Sequence, residues 1–195
     1  MHKKDWLIRR MKLETERLIL RKWENSDAAD LFKYAKDERV GPPAGWPPHK
    51  DEAYSRAIIR TVFARDEVYA ICMKERGREV IGSIGLTMDG SPERPLGENE
   101  AELGYWIGYP YWGKGLATEA SMELLRHGFE DLDLSRVFCA YFEGNERSKK
   151  VQEKCGFKLH HVNHMTRVVL LDELRVEYVN VLTKENWNKK FGIRV

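Results

Sequence analysis

Tyr111-Trp112-Gly113-Lys114-Gly115-Leu116-Ala117-Thr118-Glu119-Ala120 sets two glycines and a small residue between a strand-like run and a helical pattern. Before it, Ala101-Glu102-Leu103-Gly104-Tyr105-Trp106-Ile107 reads as a strand. After it, Ala120, Leu124, Leu125 and Phe129 fall at helical spacing over roughly 116–130. Glycine lets successive backbone N–H groups turn toward one point, and a helix N-terminus adds partial positive charge. The combination suits a phosphate group. A P-loop needs Ser or Thr after Gly-Lys, and Gly115 follows Lys114 here. A dinucleotide fingerprint needs a third glycine in a βαβ unit at the start of the chain, which is missing. On local sequence alone, a glycine-rich turn with no ligand stands beside the cradle.

Outward from that stretch, Arg17–Trp23 is a short apolar run with charged flanks, read as a strand. Asn25-Ser26-Asp27 offers caps to a helix through Ala28, Leu31, Phe32 and Ala35. Gly41–Pro48 holds four prolines and is read as irregular. A helix from about Asp51 to Ala64 follows. Val68–Met73 and Val80–Leu86 form a hairpin around Glu75-Arg76-Gly77-Arg78, and residues 89–99 form a surface loop. Val137–Phe142 is a buried strand, and 145–155 is a short helix stopped at Gly156. Two last strands, His160–Leu171 and Val176–Leu182, turn near Asp172-Glu173. The order predicts an α+β fold: one mixed, mostly antiparallel sheet of about seven strands with helices on both faces.

The composition narrows the function classes. The chain has 195 residues and a formal charge of +2, with 42% hydrophobic and 33% charged residues. It is expected to fold as a single domain over 1–195. The hydrophobic content argues against disorder, and no apolar run approaches the roughly 18 residues of a membrane span. The opening, Met1 to Trp6, lacks the apolar stretch of a secretory signal. Cys72, Cys139 and Cys155 are odd in number and widely spaced, as reduced core thiols of a cytoplasmic protein are. His160, His161 and His164 raise a metal reading. On a regular strand His161 points away from the other two, and no partner has ligand spacing, so no metal is expected. Tyr105, Trp106, Tyr109, Tyr111 and Trp112 come without a basic stripe and are read as core and pocket wall, not as a nucleic-acid surface. Neither a nucleic acid nor a membrane is an expected partner.

Several spaced motifs together resemble the GNAT acetyltransferases. Trp112–Ala117 is similar to the family's Q/R-x-x-G-x-G/A pattern, with Gly115 and Ala117 in place and Trp112 at the Gln/Arg position. Asn145-Glu146-Arg147-Ser148 leading to Cys155-Gly156-Phe157 resembles its second signature. Glu14-Thr15-Glu16-Arg17-Leu18-Ile19-Leu20-Arg21, Trp46-Pro47 and Leu182–Trp187 resemble the ribosomal-protein N-terminal (Rim-like) branch. The resemblance spans about Leu13 to Trp187.

It implies a sheet splayed near Trp106 and acetyl transfer from acetyl-CoA, as co-substrate, to a primary amine without a metal. The acceptor would be a protein N-terminus or a small amine, and a homodimer is compatible with the family. Carried over by residue, Gly113, Lys114, Gly115, Leu116, Ala117 and Thr118 would hold the pyrophosphate through backbone amides. Trp106 and Ile107 would pair with the pantetheine, and Asn145 would hydrogen-bond it. Lys114, Arg147, Lys149 and Lys150 are candidates for the outer phosphates. Many members have a Tyr seven residues after the Asn as acid, where this chain has Gln152. The branch's substitute is Ser148, which doubles as a cofactor contact. Glu102 is the candidate base, acting through a water, with Glu100 or bulk water in reserve. The alternative is a catalytically silent acyl-CoA-binding or sensing module, which has no need of Glu102 or Ser148.

Overall fold

In the computed structural model, which describes residues 12–77, 79–90 and 95–192, the first strands are β1 (Lys12–Glu14) and β2 (Leu18–Arg21). Helices α1 (Ala28–Ala35) and α2 (Glu52–Thr61) follow. Next come β3 (Val68–Met73), β4 (Val80–Thr87) and β5 (Glu100–Ile107). Helix α3 (Leu116–Arg126) leads to β6 (Arg136–Phe142) and α4 (Glu146–Cys155). The described chain closes with β7 (Lys158–Val168), β8 (Glu173–Thr183) and α5 (Lys184–Phe191). The opening Met1–Trp6, Arg78 of the predicted turn and 91–94 of the predicted surface loop lie outside the described residues.

The eight strands of the described residues form one sheet in the order β1-β2-β3-β4-β5-β6-β8-β7. Every pair is antiparallel except β5 with β6. That parallel pair runs through Glu100↔Arg136, Ala101↔Val137 and Glu102↔Phe138, and then the pairing stops. β5 continues five residues to Ile107 and β6 four to Phe142, so the sheet opens between them. The expected splay is there, and it begins at Glu102.

The two faces of the sheet are covered by different helices. Side chains alternate along β5. Leu103, Tyr105 and Ile107 face Ala120, Leu124 and Leu125 of α3 in the main core. On the other face Trp106 packs on a separate cluster of Ala28, Leu31 and Ala35 of α1 and Ile59 of α2. Glu102 and Gly104, at even spacing from Trp106, share this second face, opposite Thr87 and Gly85 of β4.

Several expectations need correction. The sheet has eight strands where about seven were expected. The extra one, β1, is three residues long with only Leu13 buried, too short for alternation to show. Gly41–Pro48 is not wholly irregular: Pro42–Ala44 makes one 3₁₀ turn, and prolines are tolerated there because first-turn N–H groups have no intrahelical partner. The helix predicted to run to 130 ends at Arg126 and widens into a π turn, His127–Asp131, with Leu132 N–H donating to the His127 carbonyl at 3.0 Å. Helix α5, with Trp187 buried against Phe129, lies beyond the last expected strand, which ends at Leu182. Finally, β7 is irregular between Leu159 and His161. The slip brings His160 and His161 together, Nδ1 to Nδ1 at 2.7 Å, where a regular strand would hold them apart. The three cysteines are buried thiols, and burial raises the Cys155 pKa to about 12.

Candidate active site

The splay between β5 and β6 opens into a cleft of about 800 Å³ that reaches both faces of the sheet. Its wall takes Trp106, Ile107, Gly113, Gly115, Leu116, Ala117, Thr118, Asn145 and Ser148 from the residues singled out as cofactor contacts, and Glu102 as well. Lys114 and Lys149 are not on the wall. The Lys114 ammonium lies 5.4 Å from the centre of the Tyr111 ring, and Lys149 pairs with Glu146 at 3.7 Å. Arg147 and Lys150 do line the cleft.

At the mouth, the glycine stretch behaves as its composition predicts. Gly113 and Gly115 take φ of +75° and +77°, a left-handed conformation that side chains resist. Gly115 is the N-cap of α3, and among the described residues no side chain caps that end. A Cβ at Gly113 would meet nothing within 4 Å, and one at Gly115 only the Arg17 guanidinium at 3.6 Å. Open space in front of uncapped helix amides is what a phosphate group fits. Glu119, one turn into α3, does not compete for it. Its carboxylate accepts from Thr15 Oγ1 at 2.5 Å, Arg17 N at 2.9 Å and Arg17 Nε at 2.6 Å. Arg17 also donates to the Lys114 carbonyl at 3.0 Å, tying the glycine stretch to the start of β2.

Trp112 braces the turn that brings the chain from β5 to α3. Its indole N–H donates to the Ile107 carbonyl at 2.6 Å. The Arg147 guanidinium sits 4.4 Å from its ring centre, linking the turn to α4. Asn145 is similarly occupied: Oδ1 accepts from Ser148 N at 3.2 Å, capping α4, and Nδ2 donates to the Pro43 carbonyl at 3.2 Å. This holds the Gly41–Pro48 loop against the cleft.

On the α1–α2 face, Glu102 shares its part of the wall with Trp46, Phe63 and Trp106, and the two indoles meet edge to face at 5.9 Å. Glu100 is buried elsewhere, paired with Arg136 and accepting from Gly97 N at 2.8 Å, and it is not part of the wall. On the opposite face, Ser148 Oγ lies 3.0 Å from the Tyr105 hydroxyl and accepts from Gln152 Nε2 at 3.1 Å. Burial holds the Tyr105 phenol well above its ordinary pKa, so it is neutral. The partnership of Tyr105 and Gln152 with Ser148 is set by tertiary contact. The only local signal is that Ser148 and Gln152 are four residues apart on one helix.

Comparison with known proteins agrees with this geometry. Residues 17–158 match the model of the acetyltransferase (GNAT) domain. The chain is 33% identical over 151 residues to p20 of Bacillus licheniformis, named as an uncharacterised N-acetyltransferase, covering 75% of this chain and 82% of that one. A GNAT-family acetyltransferase from Bacillus anthracis superposes with a TM-score of 0.77 at 23% identity, covering 90% of this chain and 99% of the other. The ribosomal-protein-S5-alanine acetyltransferase of Vibrio fischeri does so with a TM-score of 0.68 at 20% identity, covering 90% and 98%. The fold and cleft define an acyl-transfer scaffold. The chain belongs to the GNAT acetyltransferase family and is an acetyltransferase.

Proposed function

We propose that this chain moves an acetyl group from acetyl-CoA to a primary amine by direct attack across the β5–β6 opening. The observation that carries the reading is the placement of Glu102 and Ser148 on opposite faces of one splayed strand pair, with an uncapped helix N-terminus at the mouth. The backbone amides from Gly113 to Thr118 take the pyrophosphate, and Arg147 and Lys150 take the outer phosphates. The ends of β5 at Trp106 and Ile107 offer a strand edge to the pantetheine. A protein N-terminus or small amine enters between Trp46, Phe63 and Trp106. The three buried thiols suit work in the reducing cytoplasm.

An amine attacks only when neutral, so the acceptor must lose a proton. Glu102 takes it, through a water. The nitrogen–carbon bond forms as the carbon–sulfur bond breaks, and Ser148 offers its proton to the departing thiolate. The ammonium gives up two protons in all: the first leaves through Glu102 to solvent, and the second, shed by nitrogen as the amide forms, returns through solvent to Ser148 in place of the one it gave to sulfur.

The test follows CoA release from acetyl-CoA against a panel of peptides and small amines. Wild type is expected to release CoA in step with acetylated amine. Glu102→Gln keeps shape and removes proton-accepting ability, so kcat is expected to fall on the order of 10²-fold with acetyl-CoA affinity kept. The deficit is expected to shrink as pH rises toward the amine's own pKa. Tight acetyl-CoA binding with no release on any acceptor would instead make the chain a binding module.

A further inference from the structure

We propose that Gln152 is a positioning residue that aims the Ser148 hydroxyl proton into the cleft, an inference that rests on the acetyl-transfer reading above. Gln152 is 1% exposed, on the inner side of α4. Its Nε2 lies 3.1 Å from the Ala140 carbonyl and 3.1 Å from Ser148 Oγ, and its Oε1 lies 2.7 Å from Asn180 Nδ2. A backbone carbonyl only accepts, so the Gln152 atom facing Ala140 must be the amide nitrogen. The carboxamide orientation is thereby set, and Asn180 donates to the oxygen at its other end. The remaining amide hydrogen points at Ser148, and an amide nitrogen cannot accept in return. Ser148 Oγ therefore receives a hydrogen bond from Gln152 and must send its own proton elsewhere.

Among the described residues, two directions remain for that proton. One is the Tyr105 oxygen at 3.0 Å; the other is the cleft. Tyr105 has a second acceptor, the Ser148 carbonyl at 3.2 Å, to which it is free to donate while remaining neutral. No donation from Ser148 is required there, so the proton is available to a thiolate arriving in the cleft. The hydrogen bond received from Gln152 also polarises the hydroxyl toward donation. The residue standing where many relatives have an acid is thus not an acid itself. It fixes which way its neighbour donates.

A double-mutant cycle tests this on the full chain, reading CoA release and acetyl-CoA KM for wild type, Ser148→Ala, Gln152→Leu and the double variant. Gln152→Leu is expected to lower kcat about tenfold while KM for acetyl-CoA stays within about twofold, because the donor remains but its aim is lost. In the Ser148→Ala background the same change is expected to lower kcat no further. Gln152→Glu supplies a second, isosteric test if the leucine variant does not fold. Its ionised carboxylate draws the Ser148 proton away from the cleft, so its kcat relative to wild type is expected to rise as pH falls and the carboxyl group protonates. Losses that multiply in the cycle, or a Gln152→Glu ratio flat with pH, overturn the inference while leaving acetyl transfer standing. A wild type that turns over no acceptor overturns both.

Discussion

Helices α3 and α4 both start at the cleft, and they present their first turns in opposite ways. The first turn of α3 begins at Gly115 with no side-chain cap, its amides open to the mouth. The first turn of α4 begins at Asn145, whose carboxamide already accepts from Ser148 N. One helix start has no side-chain cap and is the proposed anion site, while the other is capped by the protein and brings Arg147, Ser148 and Lys150 to the cleft wall. The difference teaches that a helix N-terminus is open to an anion only where the chain withholds its own cap.

The largest effect that would break this contrast is Gly115→Asp. It puts a side chain in a left-handed position and a carboxylate where a pyrophosphate would approach. Contacts to charged groups are worth about 1.5–3 kcal/mol each, so acetyl-CoA affinity is expected to fall by roughly 100-fold in calorimetry. An affinity within twofold of wild type would move the anion site away from α3.

A smaller loss is expected from Arg17→Gln. Arg17 grips both Glu119 and the Lys114 carbonyl and is not on the cleft wall. Loosening the glycine stretch is expected to raise KM for acetyl-CoA several-fold with kcat retained, measured by steady-state kinetics. Equal loss of kcat would mean that Arg17 reaches the chemistry.

Asn145→Ala tests the capped helix. Loss of an N-cap costs about 0.5–2 kcal/mol, and the Pro43 tether goes with it. Denaturant unfolding is expected to show that destabilisation, with acetyl-CoA affinity changed far less than by Gly115→Asp. A binding loss as deep as that variant's would give Asn145 a direct ligand contact.

The far end of α3 gives the mildest effect. His127 lies 3.1 Å from Glu67 and 2.8 Å from Asp131. The Glu67 hydrogen bond raises its pKa above the ordinary 6.5, Asp131 adds to the rise, and burial opposes it. A raised folded-state pKa means the stabilisation is fully present below pH 6.5 and is lost as pH climbs through the raised value. Thermal melts from acid to mildly basic pH are expected to show that decline, and His127→Gln is expected to flatten it. An identical slope in both would exclude His127 as its source.

The legible parts share a physical character. Short apolar runs marked β3 to β6, and glycine marked the left-handed turns at Gly115 and Gly156, because these depend on neighbours in the chain. β1 leaves no sequence signal because three residues carry no period, and the π turn leaves none because it depends on how 127–131 meet Glu67 and the core. The pairing of His160 with His161 comes from a register slip that alternation hides.

The sequence by itself determined the fold family, the glycine turn and the residue types available for proton transfer. Backbone preference, hydrophobic period and motif order are local, and they survive without coordinates. Tertiary structure decided which of those residues meet. It set Glu102 at the point where β5 leaves β6, sent Glu100 to Arg136, and put Gln152 between Ala140, Asn180 and Ser148. A hydrogen bond's direction depends on every donor and acceptor around it, and those partners come from distant parts of the chain.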